Sequence, residues 1–175
     1  MKALVIYESM YGNTAEIAGA IGAGLQAGGV ETTVAPVDDV EPAMASEAEL
    51  LVVGGPTHAH GMTRPATREQ AIRDGKNTYD DPTSGAGLRD WMDDLPDGHD
   101  HLGAAFDTRL HGAKALTGSA EMGIVQRLAQ HGFRPAAEPG SFLVTKQSTL
   151  VLGEADRARA WAREIAERCV VDSNI

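Results

Sequence analysis

Short, continuously apolar segments that alternate with helix-like segments constrain the fold of this chain more than any other feature. Residues 3–7 (ALVIY) and 50–53 (LLVV) are apolar up to their ends, which is typical of strands buried on both faces of a sheet. Residues 14–25 place apolar side chains at helical spacing, and the pair Gly28-Gly29 predicts the end of that helix. This alternation predicts a parallel sheet with right-handed crossovers.

Three further strands complete the predicted sheet. They cover residues 31–37, 102–106 and 142–144, and the last is expected to be extended or interrupted around residues 150–152. Helices are expected over residues 64–73, 88–95, 118–131 and 154–169, and the third of these should carry Met122, Val125 and Leu128–Ala129 on one face. Residues 76–87 are polar and rich in turn formers, which predicts a surface loop.

The predicted architecture is therefore one α/β domain over residues 1–175. It is a doubly wound, five-stranded parallel sheet with helices on both faces. The sequence contains no internal repeat, no low-complexity tract and no linker that would divide it. A chain of 175 residues is long enough to bury a sizeable core.

Composition and charge exclude several classes of protein. Hydrophobic residues make up 42% of the chain and charged residues 23%, which is typical of globular proteins. A net charge of −10 argues against a nucleic-acid partner, because phosphates are neutralised by clustered Lys and Arg. Cys169 is the only cysteine, so no internal disulfide is expected. With neither a signal-peptide pattern nor an apolar run of membrane-spanning length, we expect a cytoplasmic protein without a membrane partner.

Three loops carry the residues that suggest chemistry. In an open parallel sheet, ligands bind beyond the carboxyl ends of the strands, at the point where the strand order reverses. Residues 8–14, 54–64 and 107–112 all follow predicted strand ends. Because these ends meet at one edge of the sheet, we expect the three loops to form a single site.

The first loop predicts a site for a phosphomonoester. Ser9 and Thr14 offer hydroxyls, Asn13 offers a side-chain amide, and Gly12 allows close approach of the backbone at the start of a helix. The loop has no Lys or Arg, unlike a Walker motif, and it lacks the GxGxxG of dinucleotide-binding proteins. The alternative is that Asn13 or Thr14 only caps the helix.

The second and third loops allow two interpretations each. In GGPTHAHGMTR the backbone could face a flat heterocycle, or His58 and His60 could begin a metal site. Further metal ligands would have to come from His99, His101 or Asp107, which form no recognised spacing with that pair. In FDTRLHG, Asp107, Thr108 and Arg109 could contact the same ligand, or they could form a solvated turn with a surface ion pair.

These motifs resemble those of the flavodoxin family, the single-domain FMN-binding proteins of the doubly wound α/β class. VIYESMYGNTAEIA is similar to the family's phosphate signature, in which a hydroxyl residue precedes Gly, any residue, Thr and a helix. GGPTHAHGM resembles the loop that flanks the flavin in flavodoxin-like proteins, including the related quinone reductases, and FDTR stands where the third flavin-contacting loop belongs.

The resemblance implies FMN as the cofactor and a redox partner protein, either a reductase or an acceptor. It places the FMN phosphate against Ser9, Met10, Tyr11, Gly12, Asn13 and Thr14. It places the isoalloxazine ring beside Pro56, Thr57, His58, Ala59 and Gly61, with Asp107, Thr108 and Arg109 at its other edge. A role of such residues is to tune the flavin potential through hydrogen bonds and charge, while the redox chemistry belongs to the cofactor.

Other functions stay open at this stage. The second and third loops lack the aromatic side chains that sandwich the ring in many flavodoxins, and Glu8 adds a negative charge beside the predicted phosphate. Both features favour a flavodoxin-fold binding or regulatory module with weak flavin affinity as the alternative. A small NAD(P)H:quinone-type flavin reductase is a further alternative. A phosphoryl receiver is disfavoured because the third predicted strand ends without an aspartate.

Overall fold

The computed structural model describes residues 1–58, 61–73, 87–99, 101–113 and 118–172. The strands in this part of the chain are β1 (Lys2–Tyr7), β2 (Glu31–Pro36), β3 (Leu50–Pro56), β4 (Leu102–Leu110), β5 (Arg134–Pro135) and β6 (Gly140–Val144). The α-helices are α1 (Asn13–Ala27), α2 (Pro65–Arg73), α3 (Leu88–Asp93), α4 (Glu121–Gln130) and α5 (Glu154–Asp172). Short 3-10 helices cover Val37–Asp39 and Pro42–Glu47.

All strand pairs of the sheet are parallel, in the order β2-β1-β3-β4-β5, and β6 also pairs with β4. This confirms the predicted doubly wound sheet. The chain moves from β1 outward to β2 and then crosses to β3 on the opposite side of β1, so the strand order reverses between β1 and β3. The carboxyl ends of those two strands are therefore where a ligand is expected.

The fifth position across the sheet is shared by two segments. β5 pairs with β4 at Leu102 and Gly103, whereas β6 pairs with Phe106–Leu110. The sequence predicted the second segment and missed the first, because a two-residue strand is too short to show an apolar periodicity.

β4 is longer than predicted and ends at Leu110 rather than at Phe106. Its last five residues pair with β6, and Thr108 is also paired with Pro56 at the end of β3. The interpretation of residues 107–109 as a loop was wrong for this reason. Hydrogen bonds to two neighbouring strands hold Asp107, Thr108 and Arg109 in extended conformation.

The core consists of one layer on each face of the sheet. Under α1 and α5 the buried side chains include Val5, Ile17, Leu25, Val52, Phe106, Phe142 and Ile165. Under α3 and α4 they include Ile6, Leu51, Val53, Leu88, Trp91, Leu95 and Ile124. The strands are thus buried on both faces, as their continuous apolar runs predicted.

Met122 does not share the buried face of α4 with Leu128, although the sequence predicted both on one face of the helix. Met122 is 59% exposed, while Ile124 and Leu128 are buried in the core below α4. The helix begins at Glu121, which is itself buried, so its inner stripe runs through Glu121, Ile124 and Leu128. The apolar pattern of the sequence could not show that this buried stripe begins with an acidic residue, Glu121.

Among the described helices, none combines the length and the apolar character required to cross a lipid bilayer. The predicted surface loop over residues 76–87 lies outside the described residues apart from Gly87.

Candidate functional site

A cavity of about 280 Å³ opens at the carboxyl ends of β1, β3, β4 and β6. It lies at the edge of the sheet where the strand order reverses. The cavity is lined by Met10, Tyr11, Asn13, Thr14, Pro56, Thr57, His58, Thr108, Arg109, Leu110, Val144, Lys146 and Ser148. All three sequence-predicted loops therefore contribute to it.

The first loop presents the start of α1 to this cavity. Gly12 precedes the helix with φ of 88°, in the left-handed region, and a Cβ there would meet no atom within 4 Å. A glycine carries no side chain that could cap the helix. The side chains of the next two residues also bond elsewhere, since Asn13 Nδ2 donates to the Ser148 carbonyl at 3.0 Å and Thr14 Oγ1 bonds Thr108 Oγ1 at 2.8 Å.

These bonds contradict the alternative that Asn13 or Thr14 caps the helix. Neither Asn13 nor Thr14 caps α1, so the positive end of the helix dipole is directed toward the cavity without a capping side chain from either of them. The same bonds join the first loop to β4 and to the segment after β6. An anion in the cavity would find backbone N–H groups at the helix start.

The second loop forms a tight turn beside the first. His58 N–H donates to the Gly61 carbonyl at 2.9 Å, and Gly61 N–H donates back at 3.0 Å. Thr57 N–H donates to the Thr108 carbonyl at 2.8 Å, which fixes the loop against β4. The His58 ring lies 5.9 Å from the Tyr11 ring, centroid to centroid, with the planes tilted by 49°.

His58 carries a buried nitrogen at the edge of the cavity. Its Nε2 bonds no group in the described part of the chain. Burial lowers the pKa of His58, so the imidazole is neutral at physiological pH. A buried polar nitrogen of this kind normally has a hydrogen-bond partner.

The structure lends no support to a metal site at His58. Among the residues that the structure describes, no group of three or more His, Cys, Asp or Glu side chains could hold a metal ion. His60, the second member of the H-x-H pair, lies outside the described residues, as does Ala59.

Two cations line the cavity, Arg109 and Lys146. Arg109 Nε donates to Ser141 Oγ at 2.9 Å and its Nη1 donates to the Gly112 carbonyl at 2.8 Å, so the guanidinium is held against β6. Lys146 is exposed and follows β6 by two residues. An anionic ligand would be attracted by both groups.

Glu8 does not add its charge to the cavity wall. It is buried at 1% exposure, and its Oε2 accepts hydrogen bonds from Thr63 Oγ1 and from Leu88 N–H, the latter at 3.3 Å. Arg68 Nη1 lies 3.8 Å from the Glu8 Oε1. Burial raises the pKa of Glu8, although the bond from Thr63 and the charge of Arg68 oppose the effect. The side chain fastens the first loop to α3 instead.

Nine of the predicted site residues line the cavity, and four others lie beside it. The lining residues are Met10, Tyr11, Asn13, Thr14, Pro56, Thr57, His58, Thr108 and Arg109. Ser9 is buried behind the first loop, Gly12 and Gly61 shape their turns, and Asp107 is fully buried behind the wall. The burial of Asp107 excludes the alternative of a solvated turn.

Sequence reasoning missed a fourth wall of the cavity. Leu110, Val144, Lys146 and Ser148 come from the ends of β4 and β6. The signal was present in principle, because the polar segment TKQST follows a predicted strand whose carboxyl end lies at the same edge of the sheet. Sequence spacing alone did not show that this segment turns back over the first loop.

Comparison with known proteins agrees with this site. The family model described as Flavodoxin matches residues 5–91, which include the first two loops of the cavity. The chain belongs to the flavodoxin family. Membership implies a flavin cofactor. A separate comparison with curated protein sequences found no match.

Solved structures with the same fold include two complete flavodoxins. A flavodoxin from the domain Archaea is 22% identical, with a TM-score of 0.66, covering 96% of this chain and 98% of that one. Oxidised flavodoxin 1 from Bacillus cereus is 19% identical, with a TM-score of 0.68 and coverages of 95% and 98%. The rubredoxin oxygen:oxidoreductase of Desulfovibrio gigas is 16% identical, with a TM-score of 0.63, and matches 99% of this chain over 37% of its own. At these identities the likeness concerns the fold.

The residues around the cavity suit a flavin that carries a phosphate. The backbone N–H groups at the helix start are donors for an anion, while Tyr11, Leu110 and the neutral His58 supply flat or apolar surface.

Proposed function

We propose that this chain binds FMN in the cavity and carries electrons between redox partner proteins. The observation that supports this most directly is the start of α1, which opens into the cavity behind Gly12 while Asn13 and Thr14 bond to other elements. A dipole-favoured anion site next to a partly apolar cavity matches a molecule with a phosphate at one end and a flat ring at the other.

The proposed arrangement assigns each wall a role. The phosphate binds to the first loop, against Ser9, Gly12, Asn13 and Thr14 and the backbone of Met10 and Tyr11. The ring lies beside Pro56, Thr57, His58, Ala59 and Gly61, with Thr108 and Arg109 at its other edge. Asp107 acts from behind the wall, because it is buried and bonds Thr57. Bound FMN would supply the one- and two-electron redox chemistry.

The charge of the protein supports a carrier with a protein partner. The net charge of −10 favours association with a partner that has a basic surface and speeds their encounter at low ionic strength. Arg109 and Lys146 at the cavity are a local exception, and their positive charge would stabilise an electron-rich cofactor.

Absorption spectroscopy tests the proposal directly. Purified protein is incubated with FMN, the excess is removed, and the flavin absorption that stays with the protein is measured. We expect one FMN per chain and much weaker retention of riboflavin, which lacks the phosphate. A protein that retains neither flavin at micromolar concentration would contradict FMN binding.

A second measurement separates a carrier from an enzyme. FMN-loaded protein is mixed with NAD(P)H and a quinone, with and without an added flavodoxin reductase. A carrier should turn over only when the reductase is present. Rapid turnover without it would contradict the carrier role and favour a quinone reductase.

A further inference from the structure

Two buried carboxyl groups contact each other directly behind the wall of the cavity. Asp107 of β4 is 0% exposed, and Glu121 at the start of α4 is 1% exposed. The Glu121 side chain lies within hydrogen-bonding reach of the Asp107 carboxyl, and Glu121 N–H lies 3.4 Å from Asp107 Oδ2. Two ionised carboxylates this close together and this deeply buried repel each other strongly. The pair therefore loses its first proton far more readily than its second.

The hydrogen bonds around Asp107 provide for one negative charge. Thr57 Oγ1 donates to Oδ2 at 2.8 Å and Ser141 Oγ donates to Oδ1 at 2.6 Å. Thr57 Oγ1 also accepts from Ala120 N–H and Ser141 Oγ also accepts from Arg109 Nε, and neither bond uses the proton of the hydroxyl. Both hydroxyl protons are therefore available to Asp107. Ala120 N–H, at 2.8 Å from Oδ2, adds a third donor.

The same bonds connect the pair to the cavity. Thr57 and Arg109 both line the cavity, and Asp107 bonds the first directly and the second through Ser141. Charge in the cavity is thus separated from the carboxyl pair by a single layer of side chains. Thr57, Ser141 and Arg109 in this layer are half-buried, but the two carboxyls behind it are fully buried, so water screens the interaction less than it would between two surface charges.

We propose that Asp107 and Glu121 share one proton at neutral pH, and that negative charge entering the cavity strengthens their hold on it. The inference depends on the proposed function for the source of that charge, namely the FMN phosphate and the electrons that FMN accepts. The electrons come from the redox partner and the proton comes from solvent. No bond forms between the carboxyl pair and the cofactor, so Asp107 and Glu121 are positioning residues.

The pKa of Asp107 lies near neutral pH, where gain or loss of the shared proton changes the charge of the pair. Burial, followed by the hydrogen bond with Glu121, raises the pKa of Asp107 to about 7, although the Ser141 and Thr57 hydroxyls oppose the shift. The pair therefore gives up its shared proton near neutral pH. Two ordinary surface carboxyls would instead lose their protons at a pH well below that range.

Other charged groups near the pair do not titrate at neutral pH. From the end of β3, His58 is already neutral because burial lowers its pKa. From α5, Arg157 Nη2 donates to the Ser141 carbonyl at 2.5 Å and to Glu154. Burial opposes ionisation of Glu154, but its bonds from Arg157 and from Leu143 N–H outweigh this and lower its pKa. Arg109 on β4 is the other guanidinium beside Ser141.

The expected coupling follows from distance and sign. A unit charge in the cavity, one side-chain layer from the carboxyls, shifts their titration midpoint by on the order of one pH unit. Negative charge shifts it upward because it disfavours ionisation of the pair. Removal of a positive charge from the cavity wall should also shift the midpoint upward. The coupling can therefore be measured without any flavin.

The experiment is carboxyl NMR on protein labelled with ¹³C at the side-chain carboxyls of Asp and Glu. The apo-protein is titrated from acidic to alkaline pH, and the pair is assigned by the resonances that disappear in Asp107→Asn and Glu121→Gln. We expect one transition near pH 7, whereas ordinary surface carboxyls titrate near pH 4. If no carboxyl titrates between about pH 6 and 8, the shared proton is ruled out. This result does not depend on flavin binding or on the stability of either variant.

A charge-removal pair of variants then tests the coupling. Arg109→Gln should raise the midpoint of the pair by about half a unit to one unit. Arg159→Gln on the exposed side of α5 is the matched control and should leave the midpoint unchanged. Equal midpoints in the wild type and Arg109→Gln would overturn the coupling, even in a protein that binds FMN.

FMN-loaded protein completes the test. Binding of FMN should move the midpoint upward, and reduction with dithionite should move it further in the same direction. Failure of FMN to bind would contradict the proposed function and leave the two apo-protein results to decide the carboxyl pair. A midpoint that is identical in the apo, oxidised and reduced proteins would contradict the coupling.

Discussion

Lys146 stands at the end of the cavity next to α1, because Ser148, two residues further along, accepts a hydrogen bond from Asn13. The first loop itself contains no Lys or Arg. We therefore propose that Lys146 contributes the positive charge that this loop lacks toward the FMN phosphate. Neutral donors and the helix start would hold the phosphate, and the lysine would increase its local concentration.

Replacing Lys146 should weaken FMN binding without affecting riboflavin binding. For Lys146→Gln we expect the dissociation constant for FMN to rise about three- to tenfold, which is typical of one exposed charge contact. The constant for riboflavin should stay the same, because it carries no phosphate. Fluorescence titration of both flavins measures this at low and at high salt. Lys2→Gln, at the opposite end of β1, is the control, and an equal loss for both flavins would place Lys146 at the ring instead.

At the scale of elements, α1 and α5 approach each other through glycine. A Cβ added at Gly24 would lie 2.3 Å from the Arg159 carbonyl oxygen and 2.8 Å from Ala162 Cβ. Gly28 is similarly placed, 2.4 Å from Ala166 Cβ. The two helices thus pack nearly backbone to backbone, and this contact fixes α1, whose start forms part of the cavity.

Alanine substitutions at two glycines of α1 should have opposite effects on stability. Gly24→Ala should lower the free energy of unfolding by about 1–3 kcal/mol, because overpacking against a backbone carbonyl outweighs the gain in helix propensity. Gly19→Ala should raise it by up to about 1 kcal/mol, because Gly19 is exposed and a Cβ there meets nothing within 4 Å. Urea unfolding measures both. A stabilising Gly24→Ala would show that the helices can separate at little cost.

At the scale of the whole molecule, buried carboxyls make stability depend on pH. A carboxyl whose pKa is raised by folding contributes stability at low pH and loses it as the pH rises through its folded value. For Asp107 that value is about 7. Glu154 has the opposite sign, since its lowered pKa gives stability above the ordinary range of a glutamate that is lost as the pH falls.

Removing one member of the carboxyl pair should therefore flatten the pH profile of stability. The free energy of unfolding of the wild type should fall between about pH 4 and 7 relative to that of Glu121→Gln, because over this range the folded pair keeps a proton that the unfolded chain has lost. Other buried groups such as His58 and Glu8 titrate alike in both proteins, so the difference isolates the pair. Denaturant midpoints at several pH values measure it, with Asp156→Asn as a surface control. Parallel profiles for the wild type and Glu121→Gln would contradict the expected loss.

The net charge leads to a second prediction at this scale. Under the proposed function, electron transfer from the reduced protein to a basic haem protein should slow by about tenfold or more between 0.01 and 0.2 M salt. The cause is screening of the attraction between the acidic carrier and its partner. Stopped-flow kinetics measure the rate, and a small uncharged acceptor should show little salt dependence. A rate that rises with salt would indicate that the basic groups at the cavity dominate docking.

The sequence by itself determined the layered architecture. Residues 3–7 and 50–53 are apolar without alternation, and a strand of this kind is stable only with both faces covered. The first loop could also be recognised, because its hydroxyls, glycine and helix start are contiguous in the chain. Local order along the chain carries both signals, so neither requires knowledge of the folded structure.

Only the tertiary structure decided which residues meet across the sheet. It extended β4 to Leu110 through pairing with β6, turned Glu121 inward behind Asp107, and brought Lys146 and Ser148 to the first loop. These contacts join residues far apart in sequence, and their geometry depends on strand register and helix phase. Apolar periodicity reports which side of an element is buried, whereas the partners of buried polar groups are set by what packs against that side.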